Sequence, residues 1–222
     1  MIEPTVSGGL LVVISAPSGA GKGTIRKCLM NEWSGLSFCP SVTTRKPRKG
    51  EVQGEDYYFV SLEEFEDLVR RGQLVEWACV YGNMYGTPRR PLEEELQRGR
   101  VVLVEKDVQG AATLRKVYPN GVYVFVVPPN REELERRMRS RGTETQEELC
   151  TRLGNVWNEL QQLGQYDYVI VNDDVDQAKQ TLKCIIVAEL CKVSRRADIL
   201  TGRGWEGWLD AETIHQRTHE TR

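Results

Sequence analysis

The stretch from residue 10 to residue 24 constrains this chain more than any other. Residues 10–15, Leu-Leu-Val-Val-Ile-Ser, form a short apolar run rich in β-branched side chains, and it passes directly into Ala16-Pro17-Ser18-Gly19-Ala20-Gly21-Lys22. Beyond the turn, Ile25, Leu29 and Met30 recur at helical spacing on one face. Strand, glycine-rich turn and helix in that order open a P-loop α/β fold. The reason is local. Glycine lets the chain curl tightly enough for its N–H groups to point inward at phosphate oxygens, and the following helix adds the positive end of its dipole. Lys22 stands where its ammonium can bridge the β- and γ-phosphates of a nucleotide. A glycine-rich turn taken alone has a plainer reading, with no ligand. Its place between strand and helix, with the lysine in register, favours the phosphate cradle.

The rest of the chain repeats the alternation. Runs apolar at every position, over residues 101–104, 122–127 and 169–171, suit parallel strands covered on both faces. Amphipathic helices are predicted over 92–98, 111–117, 131–139 and 175–193. The expected fold class is therefore α/β, a three-layer P-loop core around a parallel sheet. Two stretches break the rhythm, both after strand ends, where open α/β sheets bind ligands. Residues 40–87, rich in Tyr, Gly and charge, predict a small mixed insertion, and the Arg-rich residues 131–158 predict a helical lid. The core then comprises residues 9–39, 88–130 and 159–193. Residues 194–222, with Trp205 and Trp208 among glycines, form an extension to which no role is assigned.

Composition excludes several classes. The 222 residues are 40% hydrophobic and 28% charged, with a formal net charge of −2, so nothing global points to nucleic acid or a membrane surface. No apolar run approaches the ~18 residues of a membrane span. No basic segment precedes a hydrophobic one in the manner of a signal peptide. The 6 cysteines have no C-x-x-C pair and no neighbouring histidine, which predicts reduced thiols and a cytoplasmic protein rather than a disulfide frame or zinc site. His215 and His219 could share a helix face, but no third metal ligand accompanies them.

Against the pattern G-x-x-x-x-G-K-[S/T], Ala16 replaces the first glycine and Gly23 stands where the Mg²⁺-binding hydroxyl would be, followed by Thr24. Gly21-Lys22-Gly23-Thr24 resembles the adenylate kinase form of the loop. Mg²⁺ is still expected, held mainly by phosphates and water, with Thr24 near the α-phosphate side.

Residues 41–58 carry the more specific pattern. Thr43-Thr44-Arg45-x-Pro47-Arg48-x-Gly50-Glu51-x-x-Gly54-x-Asp56-Tyr57 is similar to the monophosphate-binding signature of guanylate kinases. Glu76-Trp77-Ala78, Tyr85-Gly86-Thr87, Asp107-x-Gln109-Gly110, Arg141-Gly142 and Ile170-Val171-Asn172-Asp173-Asp174 continue it in order, over roughly residues 9–192. The residues themselves agree. Arg45 and Arg48 can fork onto a phosphate, and Tyr57 and Tyr85 add neutral donors. The resemblance implies that Glu76 accepts from the adjacent N1–H and N2–H donors of guanine, with Ser41 and Thr87 on the base's other polar edge. Adenine lacks both donors, and such sites discriminate by roughly 10⁴–10⁵.

The acceptor is a phosphate oxygen, ionised at neutral pH because its second pKa is about 6, so no protein nucleophile or strong base is needed. Positioning and charge neutralisation remain. The resemblance implies Lys22, Arg45, Arg137, Arg141, Arg152 and Asp107 for this work, and Asn172 for the ATP base. The resemblance also implies that Asp107 touches the acceptor site. Where the family has acid, apolar, acid, this chain has Glu105, Lys106, Asp107. Alternation puts Lys106 on the opposite face from its neighbours, and a buried ammonium needs a carboxylate partner or a path to solvent. The implied reaction is γ-phosphoryl transfer from ATP to GMP, and dGMP, by a monomer or homodimer. The rival is a guanylate-kinase-like interaction module; Lys22 and the arginines argue against it. A kinase of different base choice is the other rival, against which Glu76, Ser41 and Thr87 argue.

Overall fold

The computed structural model describes residues 8–80, 82–140, 154 and 156–196. Its centre is a five-stranded parallel sheet in the order β2-β7-β1-β8-β9. These strands are β1 (Leu10–Ser15), β2 (Leu36–Phe38), β7 (Val101–Lys106), β8 (Val122–Val127) and β9 (Tyr168–Val171). All six residues of β1 are buried, because alternate side chains enter different layers. Leu10, Val12 and Ile14 pack with Ile25 and Leu29 of α1 (Lys22–Glu32) and Ala178, Leu182 and Ile186 of α6 (Val175–Leu190). Leu11 and Val13 pack with Leu92 of α3 (Arg89–Gln97) and Ala111 and Leu114 of α4 (Val108–Val117). Each Leu, Val or Ile side chain among these, taken fully from water, stabilises the fold by about 1.5–3 kcal/mol. The expected three-layer α/β architecture is the one observed.

The predicted helices exist, with shifted ends. Helix α3 begins at Arg89, before its apolar pattern, because Pro88 and Pro91 suit a first turn whose N–H groups have no intrahelical acceptor. Helix α4 begins right after Asp107, whose carboxylate accepts from Gly110 N–H as an N-cap. Helix α6 stops at Leu190, and a 3₁₀ turn at Val193–Arg195 follows.

A second sheet, β4-β3-β6-β5, is built from β3 (Ser41–Thr43), β4 (Tyr57–Phe59), β5 (Leu74–Val80) and β6 (Asn83–Pro88). Helix α2 (Leu62–Arg70) covers it through Phe65, which packs on Val42 and Leu74, and opens with a capping box between Ser61 and Glu64. Helix α4 lies against β5, so the smaller sheet is carried on the larger one beside the carboxyl end of β7. Helix α5 (Arg131–Ser140) follows β8, and its Leu134 and Met138 reach over Gly19. No helix among the described residues is long and apolar enough to cross a membrane.

Candidate active site

The turn after β1 closes on itself through Ala20 N–H to Pro17 O at 3.1 Å, and Gly21 caps α1 with φ 89°. That left-handed geometry favours glycine, and a Cβ at Gly21 would sit 2.3 Å from Asn172 Nδ2. Asn172 is only 1% exposed and donates from Nδ2 to Ala20 O at 2.6 Å. Its Nδ2 thus fastens the loop, while its Oδ1 is buried without a hydrogen-bond partner. Gly23 lies in the first turn of α1, and a Cβ there would make only ordinary contact with the Glu105 carboxylate, at 3.6 Å.

Lys22 donates to the backbone oxygen of Lys106 at 3.1 Å. Burial pushes its ammonium below the ordinary value, against the upward pull of Glu105 and Asp107. Glu159, which motif reading had not singled out, faces the same spot. Burial pushes its carboxyl up to about 7, with Lys22 pulling it down and Asp107 pushing it up. Its Oε2 is buried without a hydrogen-bond partner.

On the smaller sheet, Arg45 is clasped by Glu51 in a forked pair at 2.9 and 2.8 Å, and Arg48 N–H donates to the same carboxylate at 2.6 Å. Burial alone would raise the Glu51 carboxyl, but the bonds from Arg45 and Arg48 hold it below its ordinary value. The Arg45 guanidinium lies 5.2 Å from the Tyr57 ring, and Tyr57 and Tyr85 meet edge to face at 6.1 Å. Burial, with Glu105 and Tyr85, pushes the Tyr57 phenol up to about 12, so it stays a donor at neutral pH. Arg45, Tyr57 and Tyr85 are therefore brought together, with Arg48 exposed at their rim.

Glu76, Ser41, Thr87 and Lys106 form a buried cluster, each 5% exposed or less. Thr87 Oγ1 donates to Glu76 Oε1, and Lys106 Nζ lies 2.8 Å from the same oxygen and donates to Ser41 Oγ at 2.8 Å. The carboxylate partner that a buried Lys106 requires is thus Glu76. Gly110 gives this cluster room: a Cβ there would come within 3.0 Å of both Glu76 Oε2 and Asp107 Oδ1. Glu105 turns the other way, to Arg26 Nε at 2.8 Å, and Arg26 reaches Asp56 at 3.2 Å. Arg26 is 7% exposed and stacks 3.8 Å from the Phe38 ring centroid. It ties the phosphate-loop helix to both sheets. Sequence reading missed it, although its place one helical turn after Lys22 puts the two on one face.

Arg137 of α5 donates to Asn172 O at 2.9 Å and to Glu133. Arg136 pairs with Glu133 on the surface, as expected of a solvated helix face. Arg141 and Arg152 lie outside the described residues, as do Trp205, Trp208, His215 and His219.

The guanylate kinase family model matches residues 9–189. A guanylate kinase of Caldanaerobacter subterraneus subsp. tengcongensis is 46% identical over 191 residues, 86% of this chain and 93% of that protein. One of Bacillus cereus is 47% identical over 190 residues, 85% of this chain and 93% of that protein. The crystal structure of guanylate kinase from Anaplasma phagocytophilum superposes with a TM-score of 0.70 at 35% identity, covering 85% of this chain and 90% of that one. A phosphate loop facing a buried carboxylate cluster, in a chain that aligns with these proteins over most of its length, places the chain in the guanylate kinase family.

Proposed function

We propose that this enzyme transfers the γ-phosphoryl group of ATP to GMP, and also to dGMP, giving the diphosphate and ADP. The observation that carries the reading is the meeting of two sites at one strand end. The backbone oxygen of Lys106 takes the phosphate-loop lysine, while its side chain takes Glu76. The phosphate cradle and a buried carboxylate suited to guanine's paired donors are therefore held at a fixed separation by β7. In this reading residues 40–87 carry GMP, residues 131–158 form the lid, and the loop from Ala16 to Thr24 carries the ATP phosphates.

The chemistry asks little of the protein beyond placement. Arg45, Tyr57 and Tyr85, with Arg48, orient the acceptor phosphate, and the Glu51 clasp takes the Nη1 and Nη2 end of Arg45 and fixes where its guanidinium lies. Glu76, Ser41 and Thr87 fix the base, which sets the direction from which the acceptor oxygen approaches. Lys22 compensates the charge that shifts between donor and acceptor, and Arg137, Arg141 and Arg152 are assigned to the same task from the lid side. Asp107 caps α4 with one oxygen and lies close enough to Lys22 to act on its charge, which suits the role beside the acceptor assigned to it.

The donor set suits Mg²⁺ arriving with ATP. Arg26 engages Glu105, Asp107 caps a helix, and Gly23 supplies no hydroxyl, so the ion would keep most of its bonds to phosphate and water. When bound it supplies neutralisation of the β- and γ-phosphate charge. A coupled assay of ADP release with GMP, dGMP, AMP and UMP in turn, beside Lys22→Ala, tests the reading. Release dependent on GMP and lost in the variant is expected. Release with AMP or UMP would overturn the base assignment, and no turnover in folded protein would favour an interaction module.

A further inference from the structure

The guanine-edge cluster contains a cation as well as an anion, and its arrangement has a direction. Glu76 Oε1 is held by two donors, Thr87 Oγ1 and Lys106 Nζ, while Oε2 is turned toward Gly110. An ammonium has three N–H donors. Lys106 donates one to Ser41 Oγ at 2.8 Å, and its ammonium pairs with Glu76 Oε1 at 2.8 Å. Guanine's edge runs in the order O6 acceptor, N1–H donor, N2–H donor. A carboxylate taking N1–H and N2–H has one oxygen next to the O6 side. If that oxygen is Oε1, the ammonium beside it falls next to O6.

We propose that Lys106 is a specificity-determining residue for the acceptor base, with Glu76 reading the paired donors and the third N–H of Lys106 donating to the 6-oxo oxygen. This rests on the assignment of Glu76 to guanine. The pair then reads a full acceptor-donor-donor edge with groups of opposite charge. Adenine is rejected twice. Its 6-amino group turns a donor toward the ammonium, and its N1 turns a lone pair toward the carboxylate, leaving both buried charges badly partnered. The same cation compensates the Glu76 charge when no base is bound, which a neutral side chain at 106 could not do.

The test compares GMP with 6-thio-GMP, which keeps both donors and replaces O6 by a poor acceptor. Each is assayed with the wild type and Lys106→Met, a change of similar length and volume. In the wild type 6-thio-GMP is expected to have a KM roughly tenfold or more above that of GMP, the loss typical of an unpaired buried group. In Lys106→Met the GMP value rises and the ratio between the two acceptors falls toward one, while the KM for ATP serves as the internal control. An unchanged ratio overturns the proposal. Glu76→Gln separates the two layers of the argument. If it keeps the preference for GMP over AMP, the Glu76 assignment fails. If it loses that preference while Lys106→Met leaves the thio ratio unchanged, only the Lys106 assignment fails. Should Lys106→Met not fold, a crystal structure of the wild type with GMP decides. Nζ at about 3 Å from O6 is expected, and Nζ beyond hydrogen-bond reach of O6 overturns the proposal.

Discussion

Replacing Gly110 by alanine separates stability from function in this enzyme. Gly110 lies in the first turn of α4, where its N–H donates to Asp107 Oδ1 at 3.0 Å, a bond that alanine keeps. Alanine is the better helix former by up to about 1 kcal/mol. Its new methyl, however, would meet Glu76 Oε2 and Asp107 Oδ1 at 3.0 Å and Lys106 Cδ at 3.3 Å. Those groups must give way by a few tenths of an ångström. Thr87 and Lys106 hold Glu76 through Oε1, so the carboxylate pivots about that oxygen and Oε2 moves most. A misplacement of 1 Å can cost about 10²-fold in rate. A shift of a few tenths should therefore lower kcat/KM for GMP by several-fold to about tenfold. The helix gain and the contact strain largely offset, so the melting temperature should stay within about 4 °C of the wild type. Steady-state kinetics with GMP varied, then with ATP varied, and a thermal melt check this. An unchanged GMP kcat/KM, or an equal loss against ATP, would refute the idea that the space beside Gly110 is kept open for the base-reading carboxylate.

Arg26→Met should destabilise the protein by about 3–5 kcal/mol in urea denaturation, because Glu105 loses its buried partner and Asp56 keeps, among the described residues, the exposed Lys27 as its cation and the Val52 N–H. The GMP KM should rise with it; a loss of stability under 1 kcal/mol would mean that the link between the sheets is idle. The Glu159 carboxyl is raised from 4.5 to about 7, so the native state holds a proton that the unfolded chain has released. Its contribution is present below about 4.5 and is lost as pH rises through about 7. The ligand-free wild type should therefore lose melting temperature across that window relative to Glu159→Gln; parallel curves for the two would refute the assignment.

The parallel sheet was legible because its determinants are local. The unbroken apolar run of residues 10–15 and the glycines before Lys22 specify strand and turn without reference to anything distant. Helix ends were less legible. The periodicity of α3 starts at Leu92, but Pro88 and Pro91 set its first turn, and the start of α4 depended on reading Asp107 as a cap. Asn172 shows the limit of motif reading: the motif marks the residue, but only the structure shows its Nδ2 donating to Ala20 O.

By itself the sequence determined the α/β class, the phosphate loop, and the residue types proposed to read a monophosphate and a purine edge. Alternation along residues 105–107 also determined that Lys106 faces away from Glu105. Only the tertiary structure decided with whom each charge pairs. Lys106 meets Glu76 from another sheet, and Glu105 meets Arg26 and, through it, Asp56. A buried ion pair costs little sequence pattern, because charged residues look alike on a surface and in a core. Its partner is chosen by which strand ends the fold brings within 3 Å, and that choice requires the packing of the whole domain.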